Sequence, residues 1–295
     1  MEYRVKTEED GRRIRDILRR SMEISYSAMK SAKWNGRILL NGEPVHTDAR
    51  VQAGDTVLFI PAEDRPLYAL KPYDIPLEIP YIDEHLMVVV KPSPLASQSS
   101  RNHPDDSLEN ALYSYFGCPA DFVYRPVNRL DKGTGGLMVV ARTPYAQHLM
   151  QRKLHGPDFI RRYLALTDGM PSEQEGVIDL PIGKAPEASV KRIITPDGKK
   201  SITRYRVLRR NEGGALILLE LRTGRTHQIR VHLSAIGCPV HGDFLYGTED
   251  PERFAGRFAL HSAYLEMKHP VTGEQMQFTS VPDWAGTDVL LMDFD

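Results

Sequence analysis

Two apolar runs, LMVVV at 86–90 and LMVVA at 137–141, stand out from a chain of otherwise mixed polarity. Each is short, β-branched and bounded by turn residues, which predicts strands covered on both faces. Between them Ser107 precedes Leu108, Ala111 and Leu112, a capping residue followed by helical spacing. Thr143 followed by Pro144 opens another helix, because threonine caps and proline tolerates the first turn. Its predicted buried face is Tyr145, Leu149, Met150 and Leu154. Period-two alternation marks RRYLALTDG, ITRYRVL and ALILLELRTG, and FALHSAYLEMKHPVTGEQMQFTS reads as a hairpin around HPVTGE. Many strands, several joined by hairpins, predict an α+β domain with a mixed, largely antiparallel central sheet and flanking helices.

The first sixty residues carry a different pattern. Ile14, Ile17 and Leu18 give a short helical stripe, and Ala28–Trp34 suggests a second helix. RILLNGEPV follows, with Asn41-Gly42 as a hairpin turn, and then AGDTVLFI, a turn leading into an alternating strand. Prolines at 61, 66, 72, 76 and 80 punctuate the next stretch, and proline blocks both helix propagation and regular pairing. The expected organisation is a small α/β module over 1–62, a linker over 63–80 and a larger domain over 81–295.

Charge adds a picture that the average conceals. The net charge is −1. Residues 11–40 nevertheless hold eight Lys/Arg against two acids, residues 181–234 twelve against four, and residues 241–295 three against ten. Segregation of this kind permits local basic faces on a neutral chain, which is what attraction to phosphate requires. Hydrophobic content of 41% and charged content of 26% suit a globular protein. No apolar run approaches the roughly 20 residues of a membrane span. The polar N-terminus, MEYRVKTEEDGRR, has no signal-peptide core, and Cys118 and Cys238 lack metal-site spacing. A reduced cytoplasm is the expected compartment, with both cysteines in packing roles and a monomer as the expected state.

The segment RPVNRLDKGTGGLMVVAR sets one carboxylate, Asp131, in a glycine-rich turn directly before an apolar strand. Downstream, RTGRTHQIRVHLSAIG places three arginines around a helix whose apolar positions are Ile229, Leu233 and Ile236. His227 and His232 are five residues apart, about 140° on a helix, and so point apart. With neither HExxH nor paired CxxC, no metal is expected. A P-loop, a GxGxxG in its strand-to-helix setting and GxSxG are also missing, which removes support for nucleotide cofactors and serine-hydrolase chemistry. The remaining inventory, one carboxylate with arginines, tyrosines and basic surfaces, suits covalent or electrostatic catalysis on a polyanion.

RPVNRLDKGTGGLMVVAR resembles the HRLDxxTSGL signature of the RluA family of pseudouridine synthases, and LRTGRTHQIRVHLSAIGCPVHGDFLYG is similar to that family's second long signature. RRYLALTDG resembles its short tyrosine motif and EHLMVVVKPSPL its first strand and KP turn. GRILLNGEPV and VQAGDTVLF resemble the alpha-L-type RNA-binding module of a small-subunit ribosomal protein. The resemblance implies the pseudouridine synthase fold and isomerisation of uridine to pseudouridine within RNA, without metal or nucleotide cofactor. The partner it implies is RNA, ribosomal in preference to transfer RNA, and no membrane.

Residue by residue, the resemblance implies Asp131 as the catalytic carboxylate, Arg230 as its basic partner and Tyr163 as the ring that packs on the everted base. Arg225 is the second choice for the partner and otherwise a phosphate contact. Arg129 enters the stack that the base has left, and Asn128 and His227 join the RNA-facing set. In the N-terminal module the implied contacts are Arg12, Arg13, Arg19, Lys30, Lys33 and Arg37. Asn128 stands where histidine is usual, and Gly133 and Gly135 replace a typical acid and serine. The glycines are expected to let the chain approach the base closely, at a turn on the sheet edge. A non-catalytic RNA-binding or ribosome-assembly protein is the alternative. A glycoside hydrolase needs two carboxylates about one bond, and no second acid near Asp131 is evident in the sequence.

Overall fold

The computed structural model describes residues 1–24, 26–35, 37–60, 68–154, 156–186, 190–286 and 289; the side chains of 27, 31 and 33–35 are not among those described. Two compact units form, Met1–Ala69 with Ala120–Val123, and Leu70–Pro119 with Tyr124–Asp295.

The first unit contains β1 (Glu2–Arg4), α1 (Ile14–Asp16) continuing into a π turn at Ile17–Ser21, α2 (Tyr26–Asn35), β2 (Arg37–Leu40), β3 (Glu43–Pro44) and β4 (Thr56–Ile60). The strands form an antiparallel sheet in the order β1-β4-β2-β3. Ile14, Ile17 and Leu18 are fully buried against Ile38, Val57 and Phe59, so the stripe forms this unit's core. Asn41 and Gly42 link β2 to β3 with φ of 51° and 90°, the two left-handed positions a tight hairpin demands.

The second unit holds β5 (Glu78–Ile82), β6 (Leu86–Lys91), α3 (Leu108–Tyr115), β7 (Gly135–Ala141), α4 (Pro144–Lys153), β8 (Phe159–Asp168), β9 (Glu175–Asp179), β10 (Ile182–Lys184), β11 (Arg192–Ile194), β12 (Ile202–Asn211), β13 (Gly214–Leu221), α5 (Gln228–Ala235), β14 (Leu260–Lys268) and β15 (Gln275–Thr279). Nine strands form one sheet in the order β5-β6-β7-β14-β8-β13-β12-β9, with β15 added to β14; β10 and β11 make a separate hairpin. Only β7 and β14 are parallel, among the described residues. The protein is therefore α+β with a mixed, largely antiparallel sheet. No described helix is long and apolar enough to cross a membrane.

Of the proline-rich stretch, residues 63–67 lie outside the described residues and 68–77 carry no regular element. Strand β5 begins inside it, at Glu78. Pro80 is accommodated because β5 is an edge strand, where a missing N–H leaves no ladder bond unmade.

Ser107 and Thr143 cap α3 and α4 by accepting from Asn110 N and Ala146 N. The face of α4 differs from expectation at one position. Ala146, Leu149 and Met150 are buried, whereas Tyr145 is exposed, because the buried stripe runs i, i+3, i+4 from Ala146. Met150 and Ala146 pack with Leu86, Val88, Leu137, Val139 and Phe159. Each aliphatic side chain so buried contributes about 1.5–3 kcal/mol. The register then positions the site. Gly135 and Gly136 of β7 pair with His261 and Ser262 of β14, and Ser262 pairs with Tyr163 of β8. The turn bearing Asp131 and the ring of Tyr163 are thereby one strand apart, in the middle of the sheet and not at its edge.

Candidate active site

The Asp131 turn is anchored on both sides of the carboxylate. Thr134 N donates to Asp131 O at 3.1 Å, and Leu130 N donates to Ser97 Oγ at 3.1 Å. Lys91, fully buried at the end of β6, directs its ammonium to the carbonyls of Pro92, Leu95 and Lys132 at 3.0, 2.7 and 3.3 Å. One cation thus ties the turn after β6 to the residue following Asp131. Burial pushes Lys91 down to about 7, against the pull of Asp131.

The glycines of this turn serve protein packing, which corrects the expectation that they clear space for a base. A Cβ on Gly133 meets the Phe258 ring at 2.6 Å, and one on Gly136 meets the backbone of Ser262. Gly136 also has φ 103°, which L side chains rarely adopt. The bare backbone lets β14 approach, and β14 brings Tyr163 into range.

Helix α5 supplies the partner. Gln228 at its start fixes the preceding loop, accepting from Arg225 N and Thr223 Oγ1 and donating to Ile202 O and Thr203 Oγ1. Two residues on, Arg230 is 3% exposed. Its Nη1 donates to Asp131 Oδ2 at 3.0 Å, while Nε and Nη2 donate to Asp243 Oδ2 and Oδ1 at 2.6 and 2.8 Å. The rings of Phe258 and Tyr246 lie 4.2 and 5.0 Å from its guanidinium carbon. Burial opposes the charge, but the Asp243 hydrogen bonds and the two carboxylates outweigh it and hold Arg230 above the ordinary arginine value. His227 sits 3.8 Å from Asp131 Oδ2 and shares a 2.9 Å hydrogen bond with the Tyr246 hydroxyl. Burial pushes its imidazole down, with Asp131 opposing. His232 faces elsewhere, towards Thr203 and the Leu180 carbonyl.

Asp131, Tyr163, Arg230 and His227 border one cleft of about 610 Å³, within the range of about 300–1,000 Å³ for small-molecule sites. Tyr163 is 4% exposed, and burial raises its phenol above the ordinary value, with Arg161 and a hydrogen bond to Ser262 pulling the other way. Arg129 and Arg225 are exposed at the same cleft. Arg225 donates to the Lys200 carbonyl at 3.2 Å, so Arg230 and not Arg225 pairs with Asp131. Asn128 also borders the cleft, but its side-chain oxygen accepts from Val139 N at 2.9 Å and completes a strand ladder. In the first unit Arg12, Arg19, Lys30 and Arg37 are exposed and Arg13 lies 3.8 Å from Asp48; the side chain of Lys33 lies outside the described residues.

Sequence reasoning missed Asp243, Lys91 and Arg161. Asp243 is the second acid said to be lacking, yet it is fully buried and both its oxygens hold Arg230, so no glycosidic oxygen can reach it. Its signal was present in GCPVHGDFLYG, where a lone acid follows a turn glycine.

A family model described as RNA pseudouridylate synthase matches residues 85–235. An uncharacterised RNA pseudouridine synthase of Bacillus subtilis is 37% identical over 86% of this chain and 90% of its own length. A ribosomal large subunit pseudouridine synthase D of Xanthomonas campestris is 35% identical over 92% of this chain and 86% of its own. Among solved structures, human RNA pseudouridylate synthase domain containing 1 superposes with a TM-score of 0.58 at 27% identity, covering 70% of this chain and 84% of that one. The sheet, the cleft and these likenesses agree: the chain belongs to the RNA pseudouridylate synthase family and is an RNA pseudouridine synthase, an isomerase.

Proposed function

We propose that this enzyme isomerises uridines of large-subunit ribosomal RNA, with Asp131 as the catalytic carboxylate. The convergence of Asp131, Arg230 and Tyr163 on one cleft carries the reading. The target base is everted into the cleft and lies on the Tyr163 ring, whose raised pKa keeps it a neutral, stacking phenol. The N1–C1′ bond breaks with its electron pair passing to N1. Asp131 either bonds to C1′ or assists loss of the 2′ proton to give a glycal, and both routes need its oxygen beside C1′. The uracil turns, C5 bonds to C1′, and the proton lost at C5 is matched by one gained at N1, so nothing is consumed.

Arg230 orients the Asp131 carboxylate through a hydrogen bond that Asp243 holds in place. Arg129, exposed at the rim, suits insertion where the base has left, and Arg225 suits a phosphate. The N-terminal unit adds affinity through its exposed basic residues, in a cytoplasmic monomer. The test is incubation with modification-free large-subunit ribosomal RNA, with transfer RNA alongside and Asp131→Ala as control, followed by mapping of pseudouridines. New pseudouridine at defined ribosomal positions from the wild type alone is expected. Binding without isomerisation, or isomerisation by Asp131→Ala, overturns the proposal.

A further inference from the structure

Arg161 is a buried cation of the cleft to which the reaction above gives no role. It precedes Tyr163 by two residues on β8, so both side chains leave the same face of the sheet, about 7 Å apart along the strand. Arg161 is 5% exposed and borders the cleft. Its Nη2 donates to the Leu154 carbonyl at 3.4 Å, and its Nε, also buried, has no hydrogen-bond partner. No carboxylate among the described residues pairs with it. Its neighbour Arg162 leaves the opposite face and is paired, with Glu220 Oε2 at 3.0 Å. A guanidinium does not give up its proton, so the cleft carries a fixed positive charge in a poorly solvated place.

What that charge meets depends on depth. Arg129 and Arg225 are exposed at the rim, where they suit the phosphates of an RNA strand. Tyr163 and Arg161 are buried in the wall of the cleft, so in the reaction proposed above it is the everted base that comes against them. When the N1–C1′ bond breaks, both electrons leave with N1, and the negative charge spreads over N1 and the two carbonyl oxygens of the uracil. We propose that Arg161 donates to a carbonyl oxygen of the detached uracil and holds its negative charge while the ring turns, which rests on the isomerase reading above. The charge disappears when the electron pair forms the C5–C1′ bond, and no proton moves on Arg161. Neutral uracil offers a weaker acceptor than the anion, so the contact strengthens towards the transition state and acts on the chemical step more than on binding.

The rival role is structural, since the bond to Leu154 O caps the end of α4. Arg161→Met and Arg161→Lys separate the two through three readouts on a modification-free large-subunit ribosomal RNA transcript. These are the single-turnover rate, the RNA dissociation constant across a salt series, and the thermal midpoint. Arg161→Met is expected to slow single turnover by about 10²–10³-fold. The dissociation constant should stay within about threefold and its salt slope unchanged, because no phosphate contact is lost. Arg161→Lys should recover part of the rate and keep the folded state, so it carries the test if the methionine variant melts. The inference is overturned if either folded variant turns over at the wild-type rate. It is overturned equally if the loss vanishes after correction for folded fraction, or lies in affinity with a shallower salt slope. A wild type that makes no pseudouridine on the transcript overturns the ribosomal substrate proposed above, a failure distinct from a loss confined to the Arg161 variants.

Discussion

Asp243→Asn isolates the buried half of the Arg230 bridge. Asp243 is fully buried and Arg230 3% exposed, so neither charge can turn to water when the other is removed. The Oδ1 oxygen accepts from Arg230 Nη2, Leu245 N and Tyr246 N, and an asparagine oxygen can take that place. The amide nitrogen then faces Arg230 Nε, where Oδ2 accepted at 2.6 Å, and two donors oppose each other. Removing one partner of a buried ion pair costs about 3–5 kcal/mol. In a domain of this size that lowers the thermal midpoint by about 6–20 °C, at about 2–4 °C per kcal/mol. Thermal unfolding and single-turnover isomerisation at a temperature where the variant is folded are the assays. Turnover falls as well, because Arg230 loses the contact that aims it at Asp131. The double variant Arg230→Met with Asp243→Leu removes both charges together, and it should regain most of the stability and none of the activity. An Asp243→Asn protein with wild-type midpoint and wild-type turnover refutes the reasoning.

Asp131→Asn gives the opposite pairing of effects: turnover is abolished while stability changes by no more than about 1 kcal/mol, since Asp131 is partly open to solvent and Arg230 keeps Asp243. A large drop in its unfolding midpoint counts against that division of labour. Gly136→Ala places a methyl against the Ser262 backbone at a φ of 103°, and little folded protein is expected in a solubility and circular-dichroism comparison; wild-type yield contradicts it. Burial, and then Lys91, depress His261 to about 4 from 6.5. Below pH 6.5 the unfolded chain takes up this proton first, so stability falls as pH drops from 6.5 to 4, by up to about 3 kcal/mol. His261→Phe should flatten the denaturation profile over that window, and equal slopes refute the assignment. Deleting residues 1–60 is expected to weaken RNA binding and reduce its salt dependence while single turnover at saturating RNA persists; unchanged affinity excludes an RNA-binding role for that unit.

What the sequence discloses, and what it withholds, follows from the range of each interaction. Strands β6 and β7 and the caps Ser107 and Thr143 depend on neighbours a few positions away, and local pattern suffices to place them. The face of α4 depends on what the sheet presents to it, and so Tyr145 is exposed where helical spacing predicts it buried. Asp131 stands out locally as a lone carboxylate in a glycine-rich turn, but its grouping with Tyr163 and Arg230 is legible only through resemblance to a family, since no periodicity joins positions 131 and 230. Their meeting depends on β14, which pairs with β7 on one side and β8 on the other. The same strand explains the glycines: Gly136 is set by the backbone of Ser262, and Gly133 by Phe258 just ahead of β14. The roles of Asp243 and Lys91 are not legible in the sequence for a related reason. Each looks like an ordinary surface charge until the fold buries it, and burial is what makes it hold Arg230 or the Asp131 turn rigidly. The Asp131 carboxylate is not positioned by its own turn alone. It takes one cation behind the backbone and another before the side chain, and both come from parts of the chain that local sequence does not connect with Asp131.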